Sequence, residues 1–139
     1  MDDRATSPLD VGARLDLLAS ALPRAGGAIV VSADGLVLDA STAIDAALAD
    51  QLSAVAAGIH AMAVAAGRRN DAGQVIQTLV EMEHRLLVVS PVTATTLLAV
   101  VFDAVSDLAG ACDRITAFTA DLARRVAAQP LAGELVRTP

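Results

Sequence analysis

The sequence predicts an α+β domain in which helices cover a five-stranded, mostly antiparallel sheet. Three observations support this fold class: short β-branched runs joined by tight turns, two long segments with helical spacing of apolar residues, and short links between the strands. Short links favour antiparallel neighbours, because a parallel crossover needs a dozen or more residues. The predicted order is helix, strand, strand, helix, strand, strand, strand, helix, in a single domain over 1–139 with its core at about 8–128 and flexible tails.

Signals for a helix and a hairpin lie near the start of the chain. Ser7 as the N-cap and Pro8 at the first helical position predict a helix over 8–22. The stretch VVSADGLVLDAS then predicts a hairpin, since Asp34 and Gly35 stand between two β-branched runs. Glycine accepts a positive φ and aspartate tolerates it, so Asp34 is interpreted as a turn residue rather than a catalytic or metal-binding one. The paired strands are expected at about 28–32 and 36–41.

Residues 44–67 form the strongest predicted helix. Large apolar residues recur every three or four positions on one side, namely Ile44, Leu48, Leu52, Val55, Ile59 and Met62. A facet of small residues lies about 100° further round and consists of Ala47, Ala54, Gly58, Ala61 and Ala65. The remaining polar ridge is narrow. A helix that is apolar on most sides must be covered on most sides. One flank is therefore expected on the sheet, and the small-residue facet on a second surface, for which another copy of the chain is a candidate.

The later part of the chain predicts three more strands and a last helix. The strands are expected at 74–83, 85–90 and 96–102. Glu83 and His84 form a tight turn between the first two, and PVTA links the second to the third. The last helix is expected over 106–128 with Ser106 or Asp107 as its cap, and the tail PLAGELVRTP is expected to be frayed.

Composition narrows the class of partner. The net charge is −6, and nucleic-acid binding needs a basic surface, so nucleic acid is not expected. Tryptophan and tyrosine are absent, which disfavours stacking platforms for bases or sugars. One cysteine permits no internal disulfide and fits a reducing, cytoplasmic compartment. The polar start MDDRATSPLD is unlike a signal peptide, and no apolar run approaches the roughly 20 residues of a membrane span.

The sequence carries no familiar motif for catalysis or metal binding. Cys112 lies on the apolar stripe of the last helix and is interpreted as a small buried hydrophobe. His60 and His84 have no second histidine or cysteine at metal-ligand spacing. The chain is therefore expected to be no enzyme and to use no metal or other cofactor.

Four stretches, taken in order, carry a family resemblance: the hairpin IVVSADGLVLDAS, the helix DQLSAVAAGIHAMAVAAGR, the run QVIQTLVEMEHRLLVVSP and the strand TLLAVVFD. Together they resemble the roadblock/LC7 family, through their order and spacing over about 9–127 rather than through one diagnostic motif. The likeness is greatest to the bacterial branch, whose members are encoded beside small Ras-like GTPases and, in some operons, beside a sensor histidine kinase.

The resemblance implies a homodimer in which the central helices pair, the third strands meet and the first hairpin forms the centre of the sheet. The small-residue facet would then be the dimer interface. It also implies a non-catalytic scaffold and co-regulator that binds a small Ras-like GTPase and modulates its nucleotide cycle or localisation, with a sensor histidine kinase system as a further candidate partner. The part of the helix left facing solvent would bind the GTPase, through Asp50, Ser53, Ala57, His60, Val64, Arg68 and Arg69.

A small-ligand sensor domain is the alternative, because profilin-like and PAS-like domains share this general shape. Sensors usually need a roomy pocket into which several polar groups converge. The expected core positions here are mainly alanine, valine and leucine, with few polar partners. The regulatory role is therefore favoured over ligand sensing and over catalysis.

Overall fold

The computed structural model describes residues 10–103 and 107–128 of the chain. Within them, helices and strands follow one another in the predicted order: α1 Val11–Ala21, β1 Ala25–Ser32, β2 Val37–Ala40, α2 Ala46–Arg69, β3 Thr78–Glu81, β4 Leu86–Pro91, β5 Thr96–Phe102 and α3 Leu108–Ala128. The α+β class is confirmed. The caps predicted at Ser7-Pro8 and at Ser106, and the predicted frayed tail, lie outside the described residues.

The five strands form one sheet in the order β2-β1-β5-β4-β3, and every neighbouring pair is antiparallel. In the central part Ile29 of β1 lies opposite Ala99 of β5, which in turn lies opposite Val89 of β4. The strand at the centre is therefore β5. The expectation that the first hairpin forms the centre is wrong for β2, which is an edge strand, although β1 lies inside the sheet. The other edge is β3.

Residue alternation along the strands divides the core into two layers. Ala28 and Val30 of β1 point to the face covered by α1 and α3, which we call the α1–α3 face. Ile29 and Val31 point to the face covered by α2, which we call the α2 face. All four side chains are fully buried. The nearly continuous apolar sequence of β1 follows from this burial on both faces.

The turn between β1 and β2 confirms the hairpin interpretation. Gly35 has a φ of 95°, which favours glycine. Its N–H donates to the Ser32 carbonyl over 2.9 Å, and the Ser32 N–H donates to the Leu36 carbonyl over 2.8 Å. The Ser32 hydroxyl also hydrogen-bonds the Asp34 carboxylate. Asp34 is therefore part of the turn, as predicted.

Aspartate side chains begin the three helices that lie within the described residues. Asp10 caps α1 by accepting from the Ala13 N–H over 3.0 Å. Asp45 caps α2 by accepting from the Leu48 N–H over 2.8 Å. At the start of α3, Asp107 accepts from the Gly110 N–H over 3.0 Å, which confirms one of the two predicted caps. Each cap satisfies one of the amide groups that the first helical turn leaves unpaired.

The first strand after α2 is shorter than predicted. Strand structure covers Thr78–Glu81 rather than 74–83. Immediately before it, the Gln77 side chain donates to the Cys112 carbonyl over 3.1 Å and to the Thr116 hydroxyl over 3.0 Å. The chain before β3 is thus tied to α3 instead of continuing along β4.

Candidate interaction surface

Small side chains attach α2 to its face of the sheet. Ala49, Ser53 and Ala56 are the buried residues of this helix, and they repeat at three- and four-residue spacing along one side. Ser53 is only 2% exposed, and its hydroxyl donates to the Asp50 carbonyl one turn back, over 2.8 Å. Because the hydroxyl is satisfied within the helix, its burial carries little penalty. Small residues at the contact also let the helix lie close to the strands.

The predicted partner-binding ridge is rotated towards the sheet. Ser53 is buried, and the middle of the ridge, at Ala57, His60 and Val64, is half-buried. The expectation that these side chains face solvent is therefore wrong. The three charged members of the ridge are exposed: Asp50, Arg68 and Arg69.

The turn of the first hairpin covers part of this ridge. A Cβ atom built on Gly35 would lie 3.8 Å from the Ala57 Cβ and 3.9 Å from the Ala54 Cα. These are ordinary contact distances. The hairpin turn therefore lies beside α2 near Ala54 and Ala57.

The predicted dimer facet is open to solvent in the single chain. All five of its residues are exposed: Ala47, Ala54, Gly58, Ala61 and Ala65. A Cβ placed on Gly58 would meet no heavy atom within 4 Å. This stretch of the helix surface is apolar, carries only small side chains and is uncovered.

The stripe of large residues on α2 is split between core and solvent. Leu52 and Ile59 pack against the core of the α2 face. Val55 is 48% exposed and Met62 67% exposed, and Leu48 is exposed on the same line of the helix, one heptad before Val55. Uncovered apolar groups of this size on one helix commonly mark an interface. We call the exposed small facet, together with Leu48, Val55 and Met62, the outer α2 surface.

The nearby strand β3 is also incompletely covered. β4 pairs with one side of β3, and no strand lies beside its other edge in the described part of the chain. Leu79 lies opposite Val88, whose side chain belongs to the core of the α1–α3 face, and Leu79 is nevertheless exposed. Ile76 and Met82, just outside the two ends of β3, are exposed as well. An edge with free amide and carbonyl groups can pair with another strand.

His60 of the ridge carries a buried ring nitrogen. Its Nδ1 atom is buried and lacks a hydrogen-bond partner, as does the Thr78 hydroxyl on the α2 face of β3. Burial lowers the pKa of His60 below its ordinary value, because the charged form is desolvated. The neutral imidazole is thus favoured in the folded chain.

The groups considered for chemistry lie apart. Cys112 is half-buried, and burial, with a smaller effect from Asp113, raises the pKa of its thiol. A raised pKa makes the reactive thiolate scarcer. His84 is exposed, with Nε2 lying 3.8 Å from a Glu83 carboxylate oxygen. Across residues 10–103 and 107–128, no group of three or more histidine, cysteine, aspartate or glutamate residues is arranged to hold a metal ion.

By length and composition alone, α2 could cross a membrane, contrary to the expectation that no segment approaches that character. Its many alanines and its few charges raise the mean hydropathy over 24 residues. A helix that covers a sheet can pass the same test, so one such helix is a weak indication of a membrane span. In this fold α2 packs on the sheet along its small buried side.

Comparison with known proteins agrees with this geometry. A family model described as Roadblock/LC7 domain matches residues 13–102. Among solved structures, the chain is similar to a Roadblock/LC7 domain from Streptomyces avermitilis, with 28% identity, a TM-score of 0.79, and coverage of 85% of this chain and 98% of that one.

Two more distant structures share the fold. Myxococcus xanthus MglB is 18% identical with a TM-score of 0.76, covering 84% of this chain and 94% of that chain. Acanthamoeba castellanii profilin II is 12% identical with a TM-score of 0.59, covering 84% of this chain and 98% of that chain. None of the curated proteins matches. With the family model spanning all five described strands, α2 and most of α1, this chain belongs to the Roadblock/LC7 domain family.

Proposed function

We propose that the chain is a non-catalytic, dimeric co-regulator of a small Ras-like GTPase in the bacterial cytoplasm. The observation that carries this proposal is the outer α2 surface, which is apolar and uncovered although it belongs to a sheet-packing helix. A surface of this kind suits a protein that works by association. Membership of the Roadblock/LC7 family and the likeness of the fold to MglB support the same role.

The dimer is formed by two outer α2 surfaces packed side by side. Ala54, Gly58 and Ala61 let two helix backbones approach closely, while Val55 and Met62 supply larger apolar contacts within the interface. Apolar surface removed from water contributes roughly 25 cal/mol per Å², so a paired helix of this length can stabilise a dimer. The free edge of β3 lies in the same molecule and can pair with its counterpart, which would extend the sheet.

The GTPase binds the charged, exposed parts of the ridge. Asp50 stands near the start of α2 and Arg68 and Arg69 in its last turn, so charges of opposite sign mark the two ends of the helix. The half-buried His60 and Val64 then act as support beneath the contact rather than as its centre. Complementary charges at the edge of an interface mainly set the rate and specificity of association.

Two measurements test this function. Sedimentation velocity of the unaltered chain at micromolar concentration should show a dimer, and a monodisperse monomer would contradict the proposal. Calorimetry with a small Ras-like GTPase, loaded with GDP or with a non-hydrolysable GTP analogue, should then show binding.

The charge-reversed chain with Asp50→Arg and Arg68→Glu should dimerise but bind that GTPase at least about tenfold more weakly, a loss of about 1.4 kcal/mol. Asp113→Arg, an exposed position on α3 across the sheet, is the matched control and should bind normally. Unchanged affinity of the double variant would place the GTPase on another surface. Hydrolysis of GTP by the isolated chain would contradict the non-catalytic role.

A further inference from the structure

A second apolar surface lies on the opposite face of the sheet from α2. The helices α1 and α3 border a groove of about 430 Å³. Its apolar lining is Leu17, Leu18 and Ala21 from α1, and Ala117 and Phe118 from α3. Leu17 is 71% exposed and so projects from the wall of the groove instead of closing it.

Polar contacts hold the groove at both ends. At one end a guanidinium nitrogen of Arg14 on α1 lies 3.6 Å from an Asp121 carboxylate oxygen on α3. At the other end the Arg114 guanidinium of α3 donates to the Ala21 carbonyl in the last turn of α1. The two contacts show that the helices run antiparallel here, and they fix the distance between them. The space between Arg14 and Ala21 measures roughly 10 Å, or two helical turns.

The surroundings of the groove are basic, although the chain as a whole carries a net charge of −6. Three guanidinium groups, from Arg14, Arg124 and Arg125, share the single carboxylate of Asp121. In the described residues no carboxylate makes an ion pair with Arg114, which donates to the Ala21 carbonyl instead. Apolar side chains between guanidinium groups would attract a ligand that is apolar in its middle and acidic at its sides.

We infer that this groove binds an amphipathic helix of a partner protein, one with apolar anchors at positions i and i+4 and carboxylates beside them. The length of two turns fits two such anchors, which would rest on Leu17 and Phe118. The carboxylates would pair with Arg114 and with the arginines that share Asp121. This site is separate from the dimer and GTPase surfaces of α2, so the chain can hold a third protein while those are occupied.

The test uses the full chain and a display library of helical peptides about four turns long. Enriched peptides should share two apolar anchors one turn apart and flanking Asp or Glu. A labelled synthetic copy of the most enriched peptide is then titrated by fluorescence polarisation. Leu17→Asp should weaken its binding at least about tenfold, whereas Leu36→Asp, an exposed leucine in the β1–β2 region, should leave it unchanged.

A second pair of variants tests the charges. Arg124→Glu should weaken binding several-fold and reduce its dependence on salt, because Arg124 is exposed and contributes little to the fold. Arg24→Glu, exposed on the loop after α1, is the matched control and should have no effect.

Three outcomes would overturn the inference. Enriched peptides could lack acidic residues, or they could bind the Leu17→Asp chain as tightly as the unaltered one. Alternatively, Leu135→Asp in the C-terminal segment could raise the affinity, which would show that the chain's own segment 129–139 occupies the groove. None of these outcomes would affect the proposal for α2, whose tests use a different face of the sheet.

Discussion

The two faces of the sheet are covered to different extents. Over the α1–α3 face, two helices lie antiparallel and are joined by the contacts of Arg14 with Asp121 and of Arg114 with Ala21. Over the α2 face, α2 is the one covering helix in the described part of the chain. The strand residues beneath are equally well buried on both sides, as Val30 and Val31 show. The difference is therefore in the outer layer of the covering helices, not in the core.

The residues that bury the sheet are therefore distinct from the exposed residues available for association. The last three turns of α3 carry two arginines and an aspartate, and the apolar groove of this face lies between α1 and α3. The outer side of α2 carries Val55 and Met62 exposed beside a row of alanines. A helix that covers the sheet and is also apolar on its solvent side is typical of a protein whose helix layer is covered by a second molecule. The two faces can be compared by matched substitutions.

The largest effect is expected from a charge placed on the outer α2 surface. Val55→Asp should raise the dissociation constant of the dimer at least about a hundredfold, since an unpaired charge buried in an interface costs several kcal/mol. The altered monomer should keep its fold, because Val55 is half-exposed in the single chain. Sedimentation velocity measures the assembly and circular dichroism the fold.

The matched control for Val55→Asp is Ala120→Asp, an exposed position on α3. It should leave the dimer intact. If both changes had the same effect, or neither had any, the two faces would not differ in the way described.

A smaller effect is expected at Gly27, where β1 passes beneath the segment leading into α2. Its φ is 152°, and an added Cβ would overlap the Cγ1 atom of the buried Ile44 side chain. Gly27→Ala should therefore lower the free energy of unfolding by about 1–3 kcal/mol through overpacking. Urea denaturation measures the change. Gly26→Ala is the control, because its Cβ would come no closer than 3.6 Å to another atom, and it should lose much less stability.

The two faces should also differ in how they respond to acid, with a modest effect on the α2 face. The pKa of His60 is lowered in the folded chain, so the unfolded chain takes up a proton more readily as the pH falls through about 6.5. Stability should decline through that range and level off below the lowered pKa. In His60→Gln this decline should disappear when unfolding is followed by urea titration at several pH values. A decline of the same size in the variant would assign it to other groups.

The smallest effect is expected from Asp121 on the α1–α3 face. A hydrogen bond from Arg125, with further attraction from Arg124 and Arg14, holds the pKa of this carboxyl below its ordinary value. Its contribution is present at neutral pH and is lost as the pH falls through the lowered pKa. Asp121→Asn should remove this acid-range loss, and added salt should reproduce much of the change, because the group is exposed. Insensitivity to salt would argue against this ion-pair origin.

The element order and the antiparallel sheet could be predicted because each element carries its own local signal. Asp34-Gly35 specifies a tight turn, and Asp107 was among the two predicted caps of α3. The Ser7-Pro8 signal lies outside the described residues, whereas Asp10 also has the chemistry of a cap and forms the cap of α1.

The rotation of α2 about its axis could not be predicted in the same way. Periodicity chooses a buried side only when one side is clearly more apolar than the rest, and α2 is apolar nearly all round. Ser53 was assigned to the solvent side as a polar residue, but it is small and bonds the Asp50 carbonyl, so the helix can turn it towards the sheet. The position of the Gly35 turn beside Ala57 adds a tertiary preference that no helical pattern contains.

The order of the strands has a consequence for the moment when the chain is made. β1 pairs with β5, and Ile29 lies opposite Ala99, which is 70 residues later in the chain. Nearly the whole sheet must therefore be synthesised before its central strands can pair. Until then, the emerging β1–β2–α2 portion has the β5-facing edge of β1 unpaired and carries the apolar helix α2. Such long-range closure slows folding, and synthesis at about 5–20 residues per second leaves the portion in that state for several seconds. Two nascent chains on one messenger RNA could associate through α2 in that interval. Assembly would then take place while each chain is still folding.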